Sequence, residues 1–316
     1  MFKLILVPLD GSAFAEQALP TARRIAEREH AAIELVHAYE VLPPYRTQGA
    51  PVLDPRLDAE LRKDRATYLE GVAERLRLST TAPVQSRLLD GPADRALAGR
   101  IEASGADLVI MVTHGRGGLS RLWLGSVASE LVRNSIAPVL LIRPEEATEN
   151  VLLPRRFGRV LVPLDGSPAG EEAIEHALEM AEDRDVEFTL LHVLTPVVFV
   201  TDPGIAYPDE AELQAAAGEY LEQLAGGIRA RGFVVKSVAV RHAQPAQAIL
   251  DAADANGVDL IVMETHGWRG FTQLMLGRVA DKVVRASNVP VLLHRPRAAA
   301  AAAGPSAAEH AISASR

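Results

Sequence analysis

The chain states itself twice, and no other feature of the sequence restricts its fold as much. "LILVPLDGS" (4–12) returns as "RVLVPLDGS" (159–167), and "IELVHAYE" (33–40) returns as "FTLLHVLT" (188–195). "GADLVIMVTHG" (105–115) returns as "GVDLIVMETHG" (257–267), and "SIAPVLLIRP" (135–144) returns as "NVPVLLHRP" (288–296). The first two pairs are 155 residues apart and the last two 152, so one half carries a small length change. Four matched blocks in one order, at a period far longer than that of a solenoid, describe two whole domains rather than an array of small repeats. The 316 residues are ample for two, and with 48% hydrophobic residues each half can bury its own core.

Within each half the elements alternate. Leu4 to Leu9 is a continuous apolar run, as expected of a strand buried on both faces. The pattern then predicts a helix over Ala13–Arg28, a strand over Ile33–Ala38, a helix over Pro55–Leu78 and a strand over Val84–Leu89. A helix opening near Pro92, a strand over Asp107–Val112, a helix over Leu122–Asn134 and a strand over Val139–Ile142 complete the half. Ser12 and Ser167 suit helix N-caps, and Pro168 and Pro245 suit first helical turns. Such alternation predicts an α/β fold: two tandem Rossmann-like domains, each a five-stranded parallel sheet with helices on both faces. The expected boundaries are 1–144 and 158–296, with a linker over 145–157 and a low-complexity, disordered tail over 297–316. The last strand of each half is expected at a sheet edge, where unpaired backbone invites a partner.

Composition closes several routes. Without cysteine there are no disulfides, thiolate metal sites or cysteine nucleophiles. A net charge of −8 with interspersed signs gives no basic stripe for nucleic acid. No apolar run approaches the ~18 residues of a membrane span, and Asp10 interrupts the apolar N-terminus, which reads as a first strand rather than a signal peptide. A cytoplasmic protein is expected.

Ligands of open parallel sheets sit outside the carboxyl ends of the strands. After the fourth strand of the first half comes "VTHGRGGLSRLWLGS" (112–126); the second half has "ETHGWRGFTQLMLGR" (264–278). Gly115 opens a glycine-rich turn, and Gly125-Ser126 falls near a helix start, whose free N–H groups suit an anion. The stretch is not a G-x-x-x-x-G-K-[ST] P-loop, a G-x-G-x-x-G fingerprint or a G-x-S-x-G elbow.

These blocks resemble the universal stress protein family in its tandem two-domain form, over about residues 1–144 and 158–296. The ATP-binding branch of that family carries G-x2-G-x9-G-[S/T] at this place. Here the motif positions are Val112, Gly115 and Gly125-Ser126, and in the second half Glu264, Gly267 and Gly277-Arg278. The resemblance implies that Pro8, Asp10 and Ala38 lie against adenosine. It places Met111, His114 and Gly115 along ribose and phosphates, and Gly125, Ser126 and Val127 at the phosphate tail. The second-half counterparts are Pro163, Asp165, Val193, Met263, His266, Gly267, Gly277 and Val279. It also implies ATP with a magnesium ion as the cofactor, pairing of the halves through their last strands, and a homodimer of tandem chains.

Each implication has a plainer rival. Asp10 and Asp165 fit a turn as well as a ligand contact. His114 and His266 fit loop hydrogen bonding better than metal ligation or base catalysis, and His37 and His192 fit structural roles. Val112 is tolerated only if the motif's first position needs room, since a β-branched residue does not take positive φ cheaply. Glu264 brings negative charge towards phosphate. Arg278 either clamps phosphate from outside or fills its place and pairs with Glu264; the second reading is preferred and leaves the second site degenerate. The leading function is an ATP-binding regulatory protein of stress responses. A slow ATP hydrolase and an interaction or small-ligand module stay open beside it.

Overall fold

The computed structural model describes residues 2–40, 55–113, 124–143, 156–181, 183–196, 209–265 and 276–295. The expected tail lies outside these residues, as do all but 156 and 157 of the expected linker. The first half runs β1 (Leu4–Pro8), α1 (Ala13–Glu16), α2 (Leu19–Glu29), β2 (Ala32–Tyr39), α3 (Pro55–Arg77), β3 (Val84–Asp90), α4 (Ala93–Ser104), β4 (Leu108–Val112), α5 (Ser126–Asn134) and β5 (Val139–Ile142). The second runs β6 (Arg159–Leu164), α6 (Pro168–Met180), β7 (Glu187–Leu194), α7 (Glu210–Ala230), β8 (Val234–Arg241), α8 (Pro245–Ala255), β9 (Leu260–Glu264), α9 (Arg278–Ala286) and β10 (Val291–His294).

One expected helix is broken. Pro20 has no N–H to give to the Glu16 carbonyl, and its ring crowds that carbonyl, so Ala13–Arg28 divides into α1 and α2. The aligned residue of the second half is Glu175, and α6 continues unbroken there. The last helix of the first half starts later than its apolar pattern suggests. It begins at Ser126, because Gly125 is extended (φ −57, ψ 151) and donates its N–H to the Thr113 carbonyl at 2.9 Å.

The strands form a single sheet in the order β3-β2-β1-β4-β5-β10-β9-β6-β7-β8. Every pairing within a half is parallel, and β5 meets β10 antiparallel, with Leu140 opposite Leu292. The last strand of each half therefore ends as the seam rather than an edge, each satisfying the other's open backbone. Burial follows the alternation of the strands. Ile5 and Val7 enter the core on the face of α2 and α3, while Leu6 enters the core on the face of α4 and α5. Both cores run through the seam into the second half. Across the seam Arg28 donates to the carbonyls of Met180 and Glu179, both at 2.9 Å, and so caps the end of α6.

The strand order turns back at β1 and β4 in the first half, and at β6 and β9 in the second. In doubly wound sheets these are the places where neighbouring connections diverge and leave a crevice.

Candidate functional site

The crevice of the first half is a cavity of about 560 Å³, within the range of a small-molecule site. Its floor is made of strand ends. Pro8, Leu9 and Asp10 come from β1, Ala38 and Tyr39 from β2, and Met111, Val112 and Thr113 from β4. Gly125, Ser126, Val127 and Ala128 form one wall. The first hydrogen bond within α5 is from Ser129 N–H to Gly125 O, at 2.8 Å. The N–H groups of Ser126, Val127 and Ala128 precede it and lack a partner within the helix, so this wall favours an anion.

Of the residues that the resemblance implied, Pro8, Asp10, Ala38, Met111, Gly125, Ser126 and Val127 thus share one cavity. His114 and Gly115 lie outside the described residues, as do His266 and Gly267. In the second half Pro163, Asp165, Val193 and Met263 hold the same strand-end positions, and Gly277 and Val279 start α9. Gly277 repeats the geometry of Gly125: it is extended (φ −56, ψ 141) and donates to Thr265 O at 2.8 Å.

The "VPLDGS" turn is built alike in both halves. Asp10 Oδ1 accepts the Ser12 N–H (2.9 Å) and hydroxyl (2.6 Å), and Asp165 Oδ1 accepts the same two groups of Ser167 at the same distances. Gly11 and Gly166 sit at φ 85 and 84, a region that requires glycine. The serine hydroxyls then cap α1 and α6, accepting from Ala15 N and Gly170 N. Asp10 therefore shapes the turn and also lines the cavity. His37 and His192 have a structural part. Their Nδ1 atoms lie 2.7 and 2.9 Å from the Leu9 and Leu164 carbonyls, which can only accept, so Nδ1 carries the proton.

Val112 carries no backbone strain. It lies in β4 opposite Ile142, its side chain enters the core on the α2 face, and His30 is the described non-glycine residue with positive φ.

The preferred reading of Glu264 and Arg278 is overturned. The two form no ion pair: Arg278 is exposed at the first position of α9, and Glu264 is 8% exposed beneath α6. The reason is strand alternation. Met263 points to the face that α9 covers, so Glu264 must point to the other. There its Oε1 lies 3.5 Å from the Ser167 hydroxyl, and its Oε2 has no hydrogen-bond partner. The Ser167 hydroxyl is committed to Asp165 at 2.6 Å, so Glu264 has only this long contact with it. Burial first, and then the charge of Asp165, push the Glu264 carboxyl up to about 8. At neutral pH it is mostly uncharged, contrary to the charge repulsion expected from sequence.

Three replacements occur together here. Val112, Ile142 and Ala15 of the first half become Glu264, His294 and Gly170 of the second. A methyl group on Gly170 would lie 2.8 Å from Asp165 Oδ1 and 3.1 Å from Glu264 Oε1. The glycine makes space for the carboxyl. His294, cross-strand from Glu264, is also buried, and neither of its ring nitrogens has a hydrogen-bond partner. The aligned turns "GSAFA" and "GSPAG" carried the signal for Gly170 in the sequence, but it has meaning only once Glu264 is known to face it.

Comparison with known proteins agrees with this architecture. The sequence profile of the universal stress protein family matches residues 1–143 and again 156–295. The chain belongs to the universal stress protein family. A universal stress protein of Mycolicibacterium smegmatis is 31% identical over 93% of this chain and 97% of its own length. One of Mycobacterium tuberculosis is 29% identical over 92% of this chain and 96% of its own length. Among solved structures, a universal stress protein from Archaeoglobus fulgidus superposes with a TM-score of 0.69 at 18% identity, covering 92% of this chain and 98% of that one. This last likeness concerns the fold alone. In this chain the first half has the cavity described above, while the aligned strand end of the second half carries a buried carboxyl.

Proposed function

We propose that this universal stress protein is a cytoplasmic regulatory protein that takes ATP in its first-half cavity, occupancy being the signal it passes on. The observation that carries this reading is the convergence of Pro8, Asp10, Ala38, Met111 and Gly125–Val127 on one cavity of about 560 Å³ whose far wall is a helix N-terminus. The apolar floor suits the base, and the N–H groups of α5 suit the phosphates. No group of three His, Asp or Glu residues is disposed to hold a metal among the described residues. A magnesium ion would therefore come with the phosphates, held chiefly by them. In the second half the rebuilt pocket, with Glu264 under α6, argues for loss of nucleotide.

Calorimetric titration of the whole chain with ATP tests the reading. About one site per chain is expected, weakened by Gly125→Val. A Cβ at that position meets the Thr113 carbonyl at 3.2 Å, and a branched side chain would crowd the start of α5. No heat and no retained nucleotide at millimolar ATP would sink it.

A further inference from the structure

The cavity has a wall that the family motif does not describe. Leu61 and Arg65 of α3 line it on the side of β2, with Ala93 and Leu97 of α4 across from them. Besides the Arg65 guanidinium, His37 and Tyr39 and the carboxylates of Asp10 and Glu40 supply the polar groups on this side, which β1 and β2 form, whereas α5 follows β4. Arg62, one turn earlier on α3, is held by Asp90, with Nη2 donating to Oδ2 at 3.0 Å. Arg65 is half-buried, and no carboxylate pairs with it among the described residues. Tyr39, which also lines the cavity, gives its hydroxyl proton to Asp58 Oδ1 in a hydrogen bond of 2.7 Å.

The second half lacks this cation. Tyr68 and Tyr220 each meet a strand-end histidine edge-on, at 6.4 Å from His37 and 6.0 Å from His192. Aligning α3 with α7 on these tyrosines sets Arg65 opposite Ala217, which is buried. A long cation thus stands on the cavity wall of the first half, and a methyl group stands at the aligned place in the second.

We propose that Arg65 is the base-recognising residue of the first-half pocket, its planar guanidinium resting on the face of the nucleotide's heterocycle between Leu61 and Ala38. A guanidinium is planar, weakly hydrated and stacks on aromatic rings, whereas the phosphates are served at the opposite wall by α5. The inference rests on the nucleotide reading above and adds a residue and a role to it.

Titrations of wild type, Arg65→Ala and Arg65→Lys with ATP and with adenosine test it, with thermal melts by circular dichroism confirming that each variant is folded. Arg65→Ala is expected to weaken both ligands by roughly tenfold, leaving their affinity ratio unchanged, as befits a lost cation–π stack. Arg65→Lys recovers only part of the loss, because an ammonium is not planar. Unchanged affinity in Arg65→Ala overturns the proposal and makes Arg65 a solvated helix charge. A loss confined to ATP overturns it in favour of a phosphate contact, and full recovery by lysine overturns stacking. If wild type binds neither ligand, the nucleotide reading falls and this inference with it. If wild type binds and Arg65→Ala is unchanged, the inference alone falls.

Discussion

Replacing Glu264 by glutamine should make the protein more stable as the pH rises, and the size of the gain follows from the carboxyl's surroundings. The group titrates near 4.5 when free and near about 8 in the folded chain. Because the folded value is the higher one, the favourable contribution is complete below about pH 4.5 and is lost as the pH rises through about 8. At about pH 7 the unfolded chain has released its proton and the folded chain still holds most of it. The gap of about 2.5 between pH 7 and the free carboxyl's value then counts at about 1.4 kcal/mol per pH unit, roughly 3 kcal/mol in all. Glutamine has nearly the same shape and does not ionise, so Glu264→Gln escapes this loss. Whatever constant offset the amide introduces, the stability difference between variant and wild type should grow by roughly 3 kcal/mol between about pH 4.5 and pH 7. Urea unfolding followed by circular dichroism at a series of pH values measures it. A difference that stays flat across that range would show that Glu264 is ionised in the fold or open to water, and the picture of a neutral carboxyl beneath α6 would be wrong.

Two further outcomes bear on the same cluster. Gly170→Ala should cost roughly 1–3 kcal/mol through its contacts with Asp165 and Glu264. The same change should cost less in a Glu264→Val background, where the Asp165 contact remains but the Glu264 contact is gone, and a double-mutant cycle in urea reports the coupling. His294 is held neutral, since burial and then the charge of His176 press its ionisation down from 6.5 to about 3. A lowered folded value means stability present above about pH 6.5 and lost on acidification. His294→Ile, which installs the first-half residue, should therefore remove an acid sensitivity of about 2 kcal/mol near pH 5, read from melting curves of both proteins across that range.

Much of the molecule was legible in the sequence because it depends on local chemistry and on repetition. The apolar runs became strands with end shifts of at most one residue. The "VPLDGS" blocks became identical turns, since glycine at positive φ and serine at a cap act within a few residues. The last strands were legible as edges that invite pairing, and the resemblance supplied that they pair with each other. The break at Pro20 was missed, because the apolar pattern on either side of it suggested one helix.

The sequence alone determined the family, the tandem α/β architecture and the strand-end residues that meet at the first-half cavity. Tertiary structure decided which way Glu264 faces, and with it that Arg278 is no partner, that Gly170 must lack a side chain and that the carboxyl is neutral. It also placed Arg65 on the cavity wall from a helix 47 residues before the motif's fourth-strand end at Val112. The physical reason is the same in each case. A strand gives its side chains two faces by simple alternation, but what covers each face, and how far it excludes water, is set by helices distant in sequence. Burial and charge then fix the protonation state, and neither quantity exists until the chain has folded.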